Sequence, residues 1–69
     1  MSERMKIIEG LYKQIDFCKK ARDVASDLFH ATKKMRYYDE IVFHNGQINA
    51  LRNIIDELFD QEKKERLSK

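Results

Sequence analysis

The side chains with the most chemical potential in this sequence are Lys33, Lys34 and Arg36, because Tyr37 and Tyr38 follow them directly. Cations interleaved with aromatic rings can grip phosphates and stack on bases. Lys33, Lys34, Arg36 and Tyr37 are therefore a candidate anion or nucleic-acid contact. The competing reading is a solvated turn whose tyrosines close one end of a helical unit. Lys19, Lys20 and Arg22 would extend the patch, but Asp16, Asp23 and Asp27 dilute it. No helix-turn-helix, zinc-finger or ribonucleoprotein motif accompanies the cluster.

The remaining reactive types are scattered. His30 and His44 lie 14 residues apart and Cys18 is alone, a poor set for a metal and no nucleophile–base pair. Cys18 reads as a small core residue, and His44 with Asn45 as a polar layer that sets helix register. Asp56, Glu57, Asp60 and Glu62 give an acidic stretch, but paired carboxylates do acid–base work only in a shielded cleft. That stretch reads as a solvated face, and the net charge of +2 has the wrong sign for a nucleic-acid mimic. There is no phosphate-binding glycine loop and no catalytic triad. The sequence thus predicts no catalytic residue, no cofactor and no metal ligand, and a protein that is not an enzyme.

What must position these side chains is small. Sixty-nine residues make a single domain, residues 1–69, and chains of this size commonly add disulfides, a metal or a second subunit. A single cysteine closes no internal disulfide, so self-association is the expected device. With no proline, two glycines and 38% charged residues against 42% hydrophobic ones, the composition favours helix over disorder. Residues 1–36 carry nine Lys/Arg and five Asp/Glu, a net of +4, while residues 37–69 carry five and seven, a net of −2. Halves of opposite sign suit an antiparallel pair. The opening MSERMKIIEG contains no apolar run of signal-peptide length, and no stretch approaches membrane-spanning length. A cytoplasmic protein without a membrane partner is expected, and a free cysteine fits that reducing setting.

Ile8, Leu11, Ile15, Cys18, Ala25 and Leu28 fall on a 3-4 spacing broken only at Arg22. This is a coiled-coil-like seam, and with Ser2 as N-cap and Glu3 in the first turn it predicts a helix over about residues 3–32. Ile41, His44, Ile48, Leu51, Ile55 and Leu58 repeat the spacing and predict a second helix over about 37–66. Glu9–Lys13, Asp16–Lys20, Asp60–Lys64, Glu62–Arg66 and Glu65–Lys69 are i,i+4 pairs in the favourable order. Two positions compete for the reversal. Asn45-Gly46 is a strong turn dipeptide, yet the apolar stripe keeps its phase across it. A reversal at 33–36 sets the two stripes against each other with partner numbers summing to about 69 or 70. Thr32 would there compete with helix through its hydroxyl. A third arrangement is one uninterrupted helix. With the reversal at 33–36 the fold is an all-α antiparallel two-helix hairpin, and Gly46 becomes a close-approach layer opposite Ala21 and Ala25.

The seam leaves hydrophobic residues over. Ile7, Phe17, Ala21, Val24, Leu28 and Ala31, with Gly10 and Gln14, form a neighbouring stripe on the first helix, as Phe43, Ala50, Ile54 and Phe59 do on the second. A lone hairpin would leave this stripe wet, forgoing about 1.5–3 kcal/mol for each large side chain. Two hairpins pairing about a two-fold axis into a four-helix bundle would cover it, as would docking on a larger protein. Phe17, Val24, Phe43 and Ile54 are the predicted interaction face, and a homo-oligomer, in first place a dimer, is the expected state.

The stretch RYYDEIVFHNGQINALRNIIDELF resembles small helical-hairpin proteins encoded by tailed bacteriophages. Tyr37, Tyr38, Gly46, Ile48 and Leu51 occupy the matching positions: an aromatic helix start, a glycine inside the second helix and a leucine-rich continuation. The glycine-bearing loop usual before the aromatics is absent here. The resemblance implies a phage or prophage accessory or assembly protein, acting in the host cytoplasm or incorporated in a virion. It implies a protein partner of phage or host origin and no catalytic residues.

Overall fold

The computed structural model describes residues 2–67, which form two helices, α1 (Glu3–Thr32) and α2 (Met35–Leu67), packed as an antiparallel hairpin. The Ser2 hydroxyl accepts the Met5 backbone N–H at 3.1 Å, and the Ser2 carbonyl accepts from Lys6, while Glu3 stands in the first turn. A hydroxyl cap and an acidic first turn satisfy the donors and the positive dipole end left by an open helix terminus. The hairpin is 56 Å long, 17 Å broad and 11 Å thick.

The reversal falls at Lys33 and Lys34, inside the expected 33–36 window, and uses neither glycine nor proline. Lys33 takes the left-handed conformation (φ 59°, ψ 21°) and donates its backbone N–H to the Phe29 carbonyl at 2.7 Å. That conformation costs an L-residue about 1–2 kcal/mol relative to glycine. Thr32 supplies the compensation, its hydroxyl donating to the Leu28 carbonyl at 2.7 Å and accepting from the Lys34 N–H at 3.3 Å. The Lys33 amine lies 5.9 Å from the centroid of the Phe29 ring. A side chain thus supports at the turn a conformation that glycine supplies in many helix C-caps. The second helix begins two residues earlier than expected, at Met35, with the Tyr37 N–H bonding the Lys34 carbonyl.

Helix α2 runs through Asn45-Gly46, and Gly46 has no positive φ. The unbroken phase of Ile41, His44, Ile48 and Leu51 decides against the turn dipeptide, because a reversal there would strand the N-terminal half of α1 without a partner. The expected close approach at Gly46 is corrected, however: the residue is exposed, and a Cβ built on it meets nothing within 4 Å.

Ile8, Ile15, Cys18, Ile48 and Ile55 form the buried core, with Met5, Leu11, Leu51 and Leu58 packed around it and Ala25 buried nearer the tip. The register is about two residues tighter than the predicted one. Cys18 lies between Gln47 and Leu51, Arg22 reaches Asn45, and Phe29 packs on Tyr38 at 5.7 Å between ring centroids. At the tip, Phe29 thus makes the ring contact to α2 that the seam assigned to Leu28, and Leu28 stays exposed. The open end is tied by Arg4, whose guanidinium donates to Glu62 at 2.8 Å and to both carboxylate oxygens of Glu65 at 2.7 and 2.8 Å. Those hydrogen bonds, Glu65 first and then Glu62, raise the Arg4 pKa above its ordinary value.

Candidate interaction face

A 3.6-residue period carries two stripes outward from the seam on the same side of the hairpin. From α1 come Gly10, Gln14, Phe17, Ala21, Val24 and Leu28; from α2 come Phe43, Gln47, Ala50 and Ile54. Phe17, Val24 and Phe43 line one hollow of about 600 Å³, floored by Ala21 and Ala25. Phe17 also borders a second hollow of about 520 Å³, with Gln14, Cys18, Gln47, Ala50 and Leu51. The predicted residues are thus brought together: Phe17 is 73% exposed, Phe43 61%, Val24 59% and Ile54 45%. Three of the four share a hollow, and Ile54 continues the Phe43, Gln47, Ala50 row by one helical turn. Phe59 does not belong with them. It lines a separate hollow at the open end with Met5, Glu62, Lys63 and Arg66, a correction to the grouping by sequence.

Polar groups border this apolar face in an ordered way. Lys13 and Lys20 stand on the α1 side of the two hollows and Glu40 on the α2 side. Glu57 follows Ile54 by three residues on the same helical row. Gln47 ties the floor together, its carbonyl oxygen lying 3.7 Å from the Cys18 thiol and 2.9 Å from His44 Nδ1. His44 in turn meets Phe43 edge to face at 5.5 Å. The expected polar layer therefore exists, but Gln47 is its centre and Asn45 is not part of it. Asn45 instead accepts from Arg22 at 3.0 Å, which explains why the seam tolerates a charge at Arg22. Gln47 carries no distinguishing signal in the sequence beyond sitting three residues after His44.

The basic tip is assembled as the sequence suggests, with Lys33, Lys34, Arg36 and Tyr37 adjacent at the reversal. Two of its cations, Lys33 and Arg36, already face the protein's own rings. The Arg36 guanidinium lies 4.7 Å from the Tyr37 ring centroid and donates to a tyrosine hydroxyl, Tyr37 Oη, at 2.7 Å. Lys33 lies over Phe29, which also meets His30 at 6.0 Å. Phe29 is the tip residue that periodicity missed, because it belongs to neither stripe. The acidic stretch of α2 serves the open end: Glu62 holds Arg4 and lies 3.8 Å from Arg66, its expected i,i+4 partner. The Glu65–Lys69 pair reaches a residue outside those described.

Among the described residues no three His, Cys, Asp or Glu side chains gather as a metal site, and no helix is long and apolar enough to cross a membrane. Comparison with known protein families, curated proteins and solved structures finds no match to this chain.

Proposed function

We propose that this chain is a non-enzymatic interaction protein that works by self-association and helix-face docking. One observation carries the reading: Phe17, Val24, Phe43 and Ile54, all 45% exposed or more, occupy one side of a hairpin that buries six hydrophobic side chains among the described residues. Contiguous exposed apolar surface on a folded protein marks a site of association. The hairpin has little other means of stabilisation, since its one cysteine is free and buried. A second layer of helices over the face would turn an open pair into a four-helix bundle.

The motif resemblance of Tyr37, Tyr38, Gly46, Ile48 and Leu51 supports a phage or prophage accessory or assembly role, in the host cytoplasm or within a particle. The partner would then be a protein of phage or host origin. A nucleic-acid role for the tip is the weaker reading, because Tyr37 and Phe29 are already occupied by Arg36 and Lys33.

Light scattering across micromolar concentrations tests the proposal. The expected mass is twice the 8.3 kDa of the chain, falling toward it on dilution. A folded protein of 8.3 kDa at every concentration would overturn self-association.

A further inference from the structure

The charges bordering the apolar face specify how a second copy would sit on it. We infer that the occupant is a second copy related by a two-fold axis parallel to the helices, so that α1 of each chain faces α2 of the other and both tips lie at one end. The inference rests on the self-association proposed above and adds its geometry.

A face-to-face pair of hairpins has two symmetric solutions. An axis across the helices lays α1 on the partner's α1 and α2 on the partner's α2. Lys20 flanks the middle of the α1 apolar row, next to Ala21, so this solution brings the two Lys20 side chains toward each other. It also sets Glu40 of one chain toward Glu57 of the other, near the far ends of the same rows. An axis along the helices does the opposite. Lys13 of one copy then stands within about one helical turn of Glu57 on the other, and Lys20 approaches Glu40 within roughly a Debye length. The wider distribution agrees, since the chain is +4 through residue 36 and −2 beyond it. Opposite potentials across an interface select its register, and like charges oppose it.

Packing favours the same solution. Phe17 and Ala50 lie at one level of the hairpin and border one hollow. With the axis along the helices, each layer of the bundle sets Phe17 of one chain against Ala50 of the other, large against small. At the level of Val24, that side chain meets the partner's Phe43, and these two already share a hollow within one chain. The broad face measures 56 Å by 17 Å, room enough for the ~800 Å² per partner of a stable specific interface.

Charge reversal separates the two solutions. Lys13→Glu with Lys20→Glu is expected to weaken the dimer about tenfold or more, since symmetry doubles each exposed ion pair. Adding Glu40→Lys and Glu57→Lys to the same chain should restore it. With the axis across the helices, the double reversal merely exchanges like pairs for like pairs. An unchanged dissociation constant would therefore overturn the orientation while leaving self-association intact. A strict monomer in light scattering would remove both.

A second measurement does not depend on the charges. Spin labels at Lys34→Cys, in a Cys18→Ala background, should lie within roughly 30 Å of each other, because neighbouring bundle helices are about 10 Å apart. A separation near the 56 Å length of the hairpin would place the tips at opposite ends and refute the proposal. If Cys18→Ala does not fold, the charge-reversal series, which keeps Cys18, still decides.

Discussion

The two sides of each helix meet different fates, and the contrast explains the molecule. Inside the seam, Ile8, Ile15, Ile48 and Ile55 are 1–3% exposed and every layer has a partner. Outside it, Phe17 and Phe43 are larger side chains at equally regular spacing, yet they are 73% and 61% exposed. Both rows obey the same period, so hydrophobicity alone does not separate them. What separates them is that two helices offer each other one face only. On the proposed reading the outer row sets the stoichiometry, and the inner row reports the stability of the hairpin itself.

The largest effect should come from breaking the inner row. Ile15→Ala removes a side chain that is 3% exposed in the middle of the core cluster. A loss of about 2–5 kcal/mol is expected, read as a lower urea midpoint, and in so small a core that would unfold a large share of the protein. An effect below about 0.5 kcal/mol, the usual size for a surface site, would mean that the seam has been misassigned.

The outer row should answer to a different measurement. Phe17→Asp is expected to remove about 1.5–3 kcal/mol of association per side chain, seen as a mass that stays at 8.3 kDa at concentrations where the proposed dimer forms. Helix content at high concentration should change little, because Phe17 has no place in the core cluster. A variant that keeps its mass would move the interface to another face.

How much of this was legible follows from the range of each interaction. The Ser2 cap, the first helix and the reversal near Lys34 depend on local spacing and phase, and the sequence carries both. The phase argument even overrode a strong turn dipeptide at Asn45-Gly46, since continuity of a stripe over 18 residues outweighs two residues of turn preference. The Arg4 clasp was not legible: Arg4 is 58 and 61 residues from its carboxylates, and no periodicity links them. Phe29 and Gln47 escaped for a related reason, as each acts through one specific contact instead of a repeating face. Phe59 was misplaced because a residue near a row in sequence can turn to the other flank over four helical turns, and the hollow it shares with Met5 and Arg66 shows that it has.

A smaller effect, of opposite sign, belongs to the tip. Lys33 holds a positive φ of 59°, and Lys33→Gly should relieve about 1–2 kcal/mol of backbone strain. The amine also leaves the Phe29 ring, from which it is 5.9 Å distant, and an exposed cation–π contact is worth about 0.5–1 kcal/mol. The net gain should therefore lie between about zero and 1.5 kcal/mol, seen as a modest rise in thermal midpoint with no change in mass. A fall in stability would show that the ring contact outweighs the backbone.

The smallest substitution, a single added methyl, joins the two rows. Gly46 sits in mid-helix, exposed, with open space where a Cβ would stand. Within one hairpin Gly46→Ala should therefore be free of steric conflict and should add about 0.8–1 kcal/mol of helix propensity. Helix content and midpoint should rise together. The mass then distinguishes two meanings of the glycine. If the dimer persists with the same dissociation constant, nothing from a second chain lies over Gly46, and the glycine is merely tolerated by a well-packed helix. If helix content rises while the dimer weakens, the missing side chain is being used by a neighbouring chain, and the contact surface extends from Phe43 past Gly46 toward Ala50. Either result marks the border of the outer row, because the hairpin itself makes no contact at that point.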